Sequence, residues 1–180
     1  TVKIDLSAGS SFSAITENMT IEKQREYFYK YLKENNVEIG LGKYAEARSC
    51  YSNKEFSKNS LDGEERRTIH LGIDVFTTAG TLIFSPIDGE ISFLKDNSNS
   101  LDYGPTVIMR HKPLDNLEFY TLYGHLGRSC LKNLNIGQLV KGGMPLAETG
   151  NSKENGGWIP HVHFQIPLDL FDSKGNYPGV

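Results

Sequence analysis

Cysteine is scarce in this chain of 180 residues: Cys50 and Cys130 are the only two. Two thiols cannot build a disulfide framework, and their spacing is not that of metal ligands, so they read as two small, partly buried side chains. An excess of basic charge is also missing. Lys and Arg number 19 against 22 Asp and Glu, giving a formal net charge of −3 with the signs interspersed. Nucleic acid or an anionic membrane surface calls for a clustered basic patch, so neither partner is expected. No run is long and apolar enough to span a bilayer. Residues 1–10 lack the charged-then-apolar order of a secretory signal. With no such signal, the expected setting is cytoplasmic, or secreted or periplasmic if a leader was removed, and a start at Thr1 rather than Met leads one to expect a trimmed chain.

What is present points to a folded domain. Hydrophobic residues make up 38% and charged residues 23%, a globular rather than a disordered balance. The length suits one domain with an appendage, and a core of that size needs no metal to fold. Residues 1–19 are rich in Ser, Thr and Asn and read as an irregular or strand-like lead-in. Thr20 can cap a helix with Glu22 in its first turn, and Ile21, Phe28, Tyr31 and Leu32 share one face through about Asn35. The plain reading is an amphipathic helix that packs its aromatic stripe on the main domain. Residues 38–60 read as an irregular connection, and Asn59–Glu65, with Asp62-Gly63, as a turn or boundary. The expected division is an N-terminal extension over 1–64, with one helix at about 20–35, and a second domain over 65–180.

From Arg66 onward short runs rich in β-branched and aromatic residues are broken by Gly, Pro, Asn and Asp: Thr81–Phe84, Gly89–Phe93, Thr106–Arg110, Phe119–Tyr123 and Gln138–Val140. The pattern predicts a mainly β fold, an antiparallel sandwich or barrel with no second convincing helix. There is no internal repeat, and Asn97–Ser100 is a polar loop.

Chemistry concentrates in the histidines. Ile159–Ile166 reads as a strand, in which His161 and His163 point to the same face. Two neutral imidazoles side by side can hold a metal, or one can hold it while the other handles protons. His70 and Asp74 stand four residues apart around Gly72. In a straight strand their bases would lie roughly 13 Å apart, so convergence on one ion requires a bend. Taken singly, His70 reads as a surface or hydrogen-bonded histidine and Asp74 as a turn or cap residue. His125 follows Gly124 at the end of an aromatic run, where functional groups are commonly displayed. Together these pieces supply three or four nitrogen ligands and a carboxylate, the ligand chemistry of a catalytic zinc site with an open position. His111 lies in none of these motifs and reads as a structural strand-end residue. Asp88, Asp102 and Glu118 read as solvated or turn residues.

These residues resemble the M23 zinc metallopeptidases, the family of the lysostaphin- and LytM-like peptidoglycan endopeptidases. The matching pieces, in order, are His70-x3-Asp74, Ser85-Pro-Ile-Asp-Gly89, Tyr123-Gly-His-Leu126, Ile136-Gly-Gln-Leu-Val-Lys-Gly142, Gly150 and His161-Val-His-Phe164, covering about residues 66–168. The resemblance implies a β-sandwich core with one Zn2+ in a groove, held by His70, Asp74 and His163. It implies that His125 and His161 flank the water at the metal, one as general base and the other stabilising the oxyanion. The implied activity is hydrolysis of a peptide or amide bond in a peptidoglycan-type or other glycine-containing peptide. The chain departs from the secreted enzymes where it carries Asn155-Gly-Gly-Trp158-Ile-Pro160 in place of a short Gly/Ser/Thr turn, and Gln165 in place of Glu. Trp158 and Pro160 are therefore expected to shape the groove beside His161.

A narrower resemblance runs through Leu101–Pro105, Tyr120–Leu126, Glu154–Gln165 and Tyr177–Val180. It is to the M23-like module of fusion proteins, set between an aminoglycoside-phosphotransferase-like kinase domain and a class III aminotransferase domain. It implies an excised middle segment with those domains as partners, and a second function class: a zinc-binding regulatory or interaction module without turnover. Ser85–Ile91 with Gly137–Leu146 also has the hairpin texture of biotinyl or lipoyl carriers. No lysine stands at a hairpin tip between the halves, so these segments read as sandwich turns.

Overall fold

In the computed structural model, which describes residues 1–52, 57–60, 63–173, 175 and 177–180, the chain divides into two compact units. For residues 51, 52, 57–60 and 63–66 only the backbone is described. The first unit is Thr1–Ile73 with Pro178–Val180, the second Asp74–Tyr177.

The first unit opens with strand β1 (Val2–Lys3) and continues through helix α1 (Ser11–Thr16), helix α2 (Ile21–Glu34), β2 (Gly40–Leu41) and β3 (Glu46–Ala47). A 3-10 turn at Ser49–Ser52 and strands β4 (Ser57–Ser60), β5 (Gly63–Arg66) and β6 (Ile69–His70) complete it. Residues 1–19 are thus not merely irregular or strand-like. Ser10 caps α1 by accepting the Ser13 N–H at 3.1 Å, and Phe12 and Thr16 are buried one turn apart. Six residues are too few for a visible 3.6 period, which is why the helix escapes a pattern reading. The second helix is the expected one. Thr20 accepts the Lys23 N–H, and Phe28 and Leu32 are the buried members of its stripe. Their described neighbours lie in the same unit: a Cβ on Gly40 would meet Ile4 at 2.7 Å and Phe28 at 3.2 Å, and Phe12 packs against Tyr27 and Tyr31.

β1 and β2, two-residue strands far apart in sequence, pair in parallel; the antiparallel expectation concerned the residues from Arg66 onward. Residues 38–60, expected to be irregular, contribute β2, β3 and β4; β3 pairs with β6 and β4 with β5. The turn or boundary expected over Asn59–Glu65 takes in the end of β4 and the start of β5, and its Leu61 and Asp62 lie outside the described residues.

A buried ion pair ties this unit together. Glu46 Oε2 accepts from Arg48 Nε at 2.8 Å, and Oε1 accepts from the Leu6 N–H at 2.7 Å and the Ser7 hydroxyl at 3.3 Å. The two side chains are 0% and 7% exposed, so the pair is fully desolvated. Glu46→Ala removes the carboxylate that accepts from Arg48, Leu6 and Ser7, and is expected to destabilise the protein by about 1–3 kcal/mol, read from urea unfolding.

In the second unit the strands are β7 (Ile73–Phe76), β8 (Leu82–Phe84), β9 (Gly89–Asn97), β10 (Gly104–Leu114), β11 (Leu117–Gly124), β12 (Leu139–Val140), β13 (Pro145–Glu148) and β14 (His161–Gln165), with a short helix α3 (Cys130–Asn133). All five predicted runs are strands. β7, β14, β11, β10, β9 and β12 lie side by side in that order, and β8 pairs with β13 in a separate two-stranded sheet.

Period-two alternation decides what each face buries. Val107, Met109 and Tyr123 point into a core closed by α3 and the β8–β13 pair, with Ile83, Cys130, Leu134, Leu146 and Val162. Ile108 and Leu122 point the other way, against Tyr103, Phe93 and Leu170. β9 obeys the rule only through a bulge. Ile108 faces Phe93 and Met109 faces Ile91, so Ser92 is the extra residue that sends Ile91 and Phe93 to opposite faces.

Cys50 is exposed, unlike the partly buried thiol expected, and Cys130 is buried; burial pushes the Cys130 thiol up to about 11. No described helix is long and apolar enough to cross a membrane.

Candidate metal centre

β14 places its histidines by simple alternation. Val162 and Phe164 go to the core, so His161, His163 and Gln165 share the opposite face. His163 stands opposite Gly124 of β11. A Cβ at Gly124 would meet the Tyr103 ring at 2.5 Å, so glycine there lets Tyr103 lie directly against the site.

β11 ends at Gly124, and the chain turns sharply at His125. His125 has φ +62°, a left-handed conformation that is uncommon outside glycine. Three backbone bonds hold it: its N–H donates to the Tyr103 carbonyl at 2.7 Å, Leu126 N–H to Pro105 at 3.1 Å, and Gly150 N–H to the His125 carbonyl at 2.9 Å. A conformation of this kind costs about 1–3 kcal/mol and persists where the surroundings enforce it. Here it swings the imidazole to 4.3 Å from the His161 ring and 6.2 Å from that of His163, centroid to centroid.

The bend required between His70 and Asp74 exists. β6 stops at His70, Gly72 is a bend, and β7 starts at Ile73. One ligand atom from each of His70, Asp74 and His163 lies within 4.8 Å of the others. Asp74 Oδ1 is 3.2 Å from His163 Nδ1 and 3.6 Å from His161 Nε2. Asp74 and the four histidines are 1–6% exposed, so the charges here act in a desolvated setting.

Each of the four imidazoles is anchored through one nitrogen to an oxygen. His70 Nδ1 pairs with the Lys43 carbonyl at 3.3 Å, His125 Nδ1 with the Asn155 carbonyl at 2.8 Å, and His161 Nδ1 with the Ile159 carbonyl at 2.6 Å. His163 Nε2 pairs with Gln165 Oε1 at 3.0 Å. A carbonyl oxygen only accepts, so an anchored nitrogen facing one carries a proton, and in a neutral ring the other nitrogen is the one that can bind a cation. His163 Nδ1 lies 3.2 Å from Asp74 Oδ1, close enough for the two to share one cation. Two imidazoles and one carboxylate, with outer nitrogens held by hydrogen bonds, fit a divalent zinc-type ion with an open coordination position.

The Asn155 side chain organises the loop behind His125. Its Nδ2 donates to the carbonyls of Gly150 and Trp158, and its Oδ1 accepts from the Gly157 and Trp158 N–H groups. Trp158 is half-buried, sits edge-on to His125 at 6.1 Å and donates its Nε1–H to the Asp102 carbonyl at 3.3 Å. Pro160 is buried, and its carbonyl accepts from Thr77 N–H at 3.3 Å.

Burial first, and then the charges of His161 and His163, hold the His125 imidazolium well below its ordinary range. The ring is therefore neutral at pH 7 and able to accept a proton. The unfolded chain takes up a proton near pH 6.5 that the folded one refuses, so chelated protein is expected to lose stability as the pH falls below about 6.5 and to keep it above. Urea midpoints at pH 7.5 and 5.5 measure this, and His125→Asn flattens the dependence.

All five site residues singled out in the sequence thus come together, with His70, Asp74 and His163 as one group and the rings of His125 and His161 alongside. His111 is elsewhere: its Nδ1–H donates to the Asp88 carbonyl at 2.8 Å and its Nε2 accepts from the Thr121 hydroxyl at 2.7 Å, a fully satisfied structural histidine. Asp88 closes a turn by accepting from Gly142 N–H at 2.9 Å. Sequence reasoning assigned no role to Tyr103, Asn155 or Gln165. Gln165 alone left a signal, its position two residues after His163 on the same strand face.

Among solved structures the chain is similar to the catalytic domain of the antimicrobial peptidase lysostaphin from Staphylococcus simulans, at 22% identity over 62% of this chain and 77% of that one, with TM-score 0.46. It is similar to the catalytic domain of the prophage-encoded M23 protein EnpA from Enterococcus faecalis, at 25% identity over 57% and 70%, TM-score 0.43. A zinc-containing peptidase from Vibrio cholerae is similar at 23% identity over 69% of this chain and 36% of that one, TM-score 0.44. No curated protein matches the chain. The model of peptidase family M23 matches residues 68–173. That stretch is more than half of the chain, starts just before His70 and ends beyond Gln165, and with every residue of the site inside it the chain belongs to peptidase family M23.

Proposed function

We propose that the chain is a zinc metallopeptidase that hydrolyses a peptide bond in a peptidoglycan-type or other glycine-containing peptide. The observation that carries this is the convergence of His70, Asp74 and His163 within 4.8 Å, with the imidazoles of His125 and His161 beside them. His70, Asp74 and His163 are the residues that would hold the ion. Zinc bound there supplies Lewis acidity, polarising an amide carbonyl and lowering the pKa of a water towards about 7.

The rest is done by the chain. His125 and His161 each turn a lone pair away from their anchoring carbonyls, so either can take the proton of the attacking water. The two rings are 4.3 Å apart, and like charges at that distance oppose double protonation. The pair therefore works with one proton at a time. The ring that has taken it becomes a donor, to the oxyanion first and then to the departing amine. Burial of the site keeps bulk water from competing for these bonds.

The alternative of a zinc-binding module without turnover, inside a larger protein with kinase-like and aminotransferase domains, is favoured by one observation. Trp158, tied to Asp102, stands edge-on to His125 and narrows its approach. Incubation of zinc-loaded protein with a panel of glycine-containing peptides and peptidoglycan fragments separates the two. Cleavage that is abolished by chelation supports the peptidase; stoichiometric zinc without cleavage of any member supports the silent module.

A further inference from the structure

We propose that Gln165 is the positioning residue of His163, and that together with Tyr103 it holds this imidazole in the tautomer a metal needs, thereby setting the affinity of the site. The inference rests on the metal-site reading above.

Gln165 Oε1 receives two hydrogens. His163 Nε2–H arrives at 3.0 Å, and the Tyr103 hydroxyl, 62 residues earlier in the chain, donates at 3.1 Å. All three residues are buried. Tyr103 is itself fixed: its ring packs at 5.2 Å from that of His163 and 5.7 Å from that of His125, its carbonyl accepts the His125 N–H, and Gly124 leaves it room.

An amide differs from a carboxylate at this position because it can face either way. With its oxygen toward His163, the ring proton sits on Nε2 and Nδ1 presents a lone pair 3.2 Å from Asp74 Oδ1. With its NH2 toward His163, the ring proton would move to Nδ1, bond to Asp74 and block the ligand atom. The Tyr103 hydroxyl donates to the same oxygen, which ties the amide in the first arrangement. Residues that hydrogen-bond the outer nitrogen of a metal-binding histidine fix its tautomer in this way, and losing one typically lowers metal affinity by about 10–100-fold.

Two measurements test this. Zinc dissociation constants, taken by competition with a chromophoric chelator, are expected to rise about 10–100-fold in Gln165→Leu and several-fold in Tyr103→Phe. Gln165→Glu, which can only accept, is expected to bind as tightly as the wild type or more so. Imidazole 15N shifts of the chelated wild type are expected to place the His163 proton on Nε2. Wild-type affinity in Gln165→Leu, or a proton on Nδ1 of His163, overturns the inference. If Gln165→Leu does not fold, Tyr103→Phe decides: a several-fold loss supports it and unchanged affinity overturns it. A wild type that binds no zinc overturns the metallopeptidase reading instead, while the tautomer, read without metal, still decides the role of Gln165.

Discussion

His125→Ala is expected to lower peptide turnover by about 10²–10⁴-fold while zinc remains bound, the range removed with one general acid–base group. The ring lies outside the group whose ligand atoms converge, so its loss leaves His70, Asp74 and His163 in place. What disappears is a neutral imidazole held beside the site by the Asn155 carbonyl and by the left-handed turn after Gly124. Alanine keeps the three backbone bonds of the turn, while the side-chain bond to Asn155 and the ring contacts with Tyr103, Trp158, His161 and His163 are lost. His161→Ala is expected to act in the same direction. The double variant should cost little more than either single one, because a pair that shares one proton fails as a unit. Steady-state kcat with zinc content measured on the same samples checks this; a loss of activity that tracks a loss of metal would contradict the division of roles.

Asp74→Asn is expected to weaken zinc binding by at least about 100-fold, since residues merely supporting a ligand already cost about 10–100-fold when removed. Asp74 is the only carboxylate in a group whose other members are two imidazoles, and it is 1% exposed. Asparagine keeps the shape and removes the charge, leaving a dication in a desolvated site with nothing to offset it. The chelated variant should remain folded, because asparagine fills the same buried volume and keeps a hydrogen-bonding group beside His163. The test is a thermal scan with and without zinc: the wild type gains stability with added ion and the variant does not.

Much of the site was legible because strand alternation is a strict rule. Once His161 and His163 stand on one strand, their shared face and the core-facing Val162 and Phe164 follow. The meeting of His70 with Asp74 was legible only as a requirement, since the bend at Gly72 is a backbone fact that the letters His-Leu-Gly-Ile-Asp permit without dictating. His125 was placed at a strand end, but nothing in Tyr-Gly-His announces a positive φ on histidine. The bond from Tyr103 to Gln165 joins residues 62 apart and depends on Gly124 making room between them, a relation no local pattern carries. Helix α1 and the parallel β1–β2 pair were missed for a related reason: elements of six and two residues carry too little periodicity to stand out.

The central claim is that one zinc ion sits among His70, Asp74 and His163, with His125 and His161 near it but not on it. Diffraction from zinc-loaded crystals at the zinc absorption edge tests it most directly. The account predicts a single anomalous peak about 2.0–2.2 Å from one nitrogen of His70, one nitrogen of His163 and a carboxylate oxygen of Asp74. A peak coordinated by His125 or His161 in place of any of these, or no peak at that point, would contradict it.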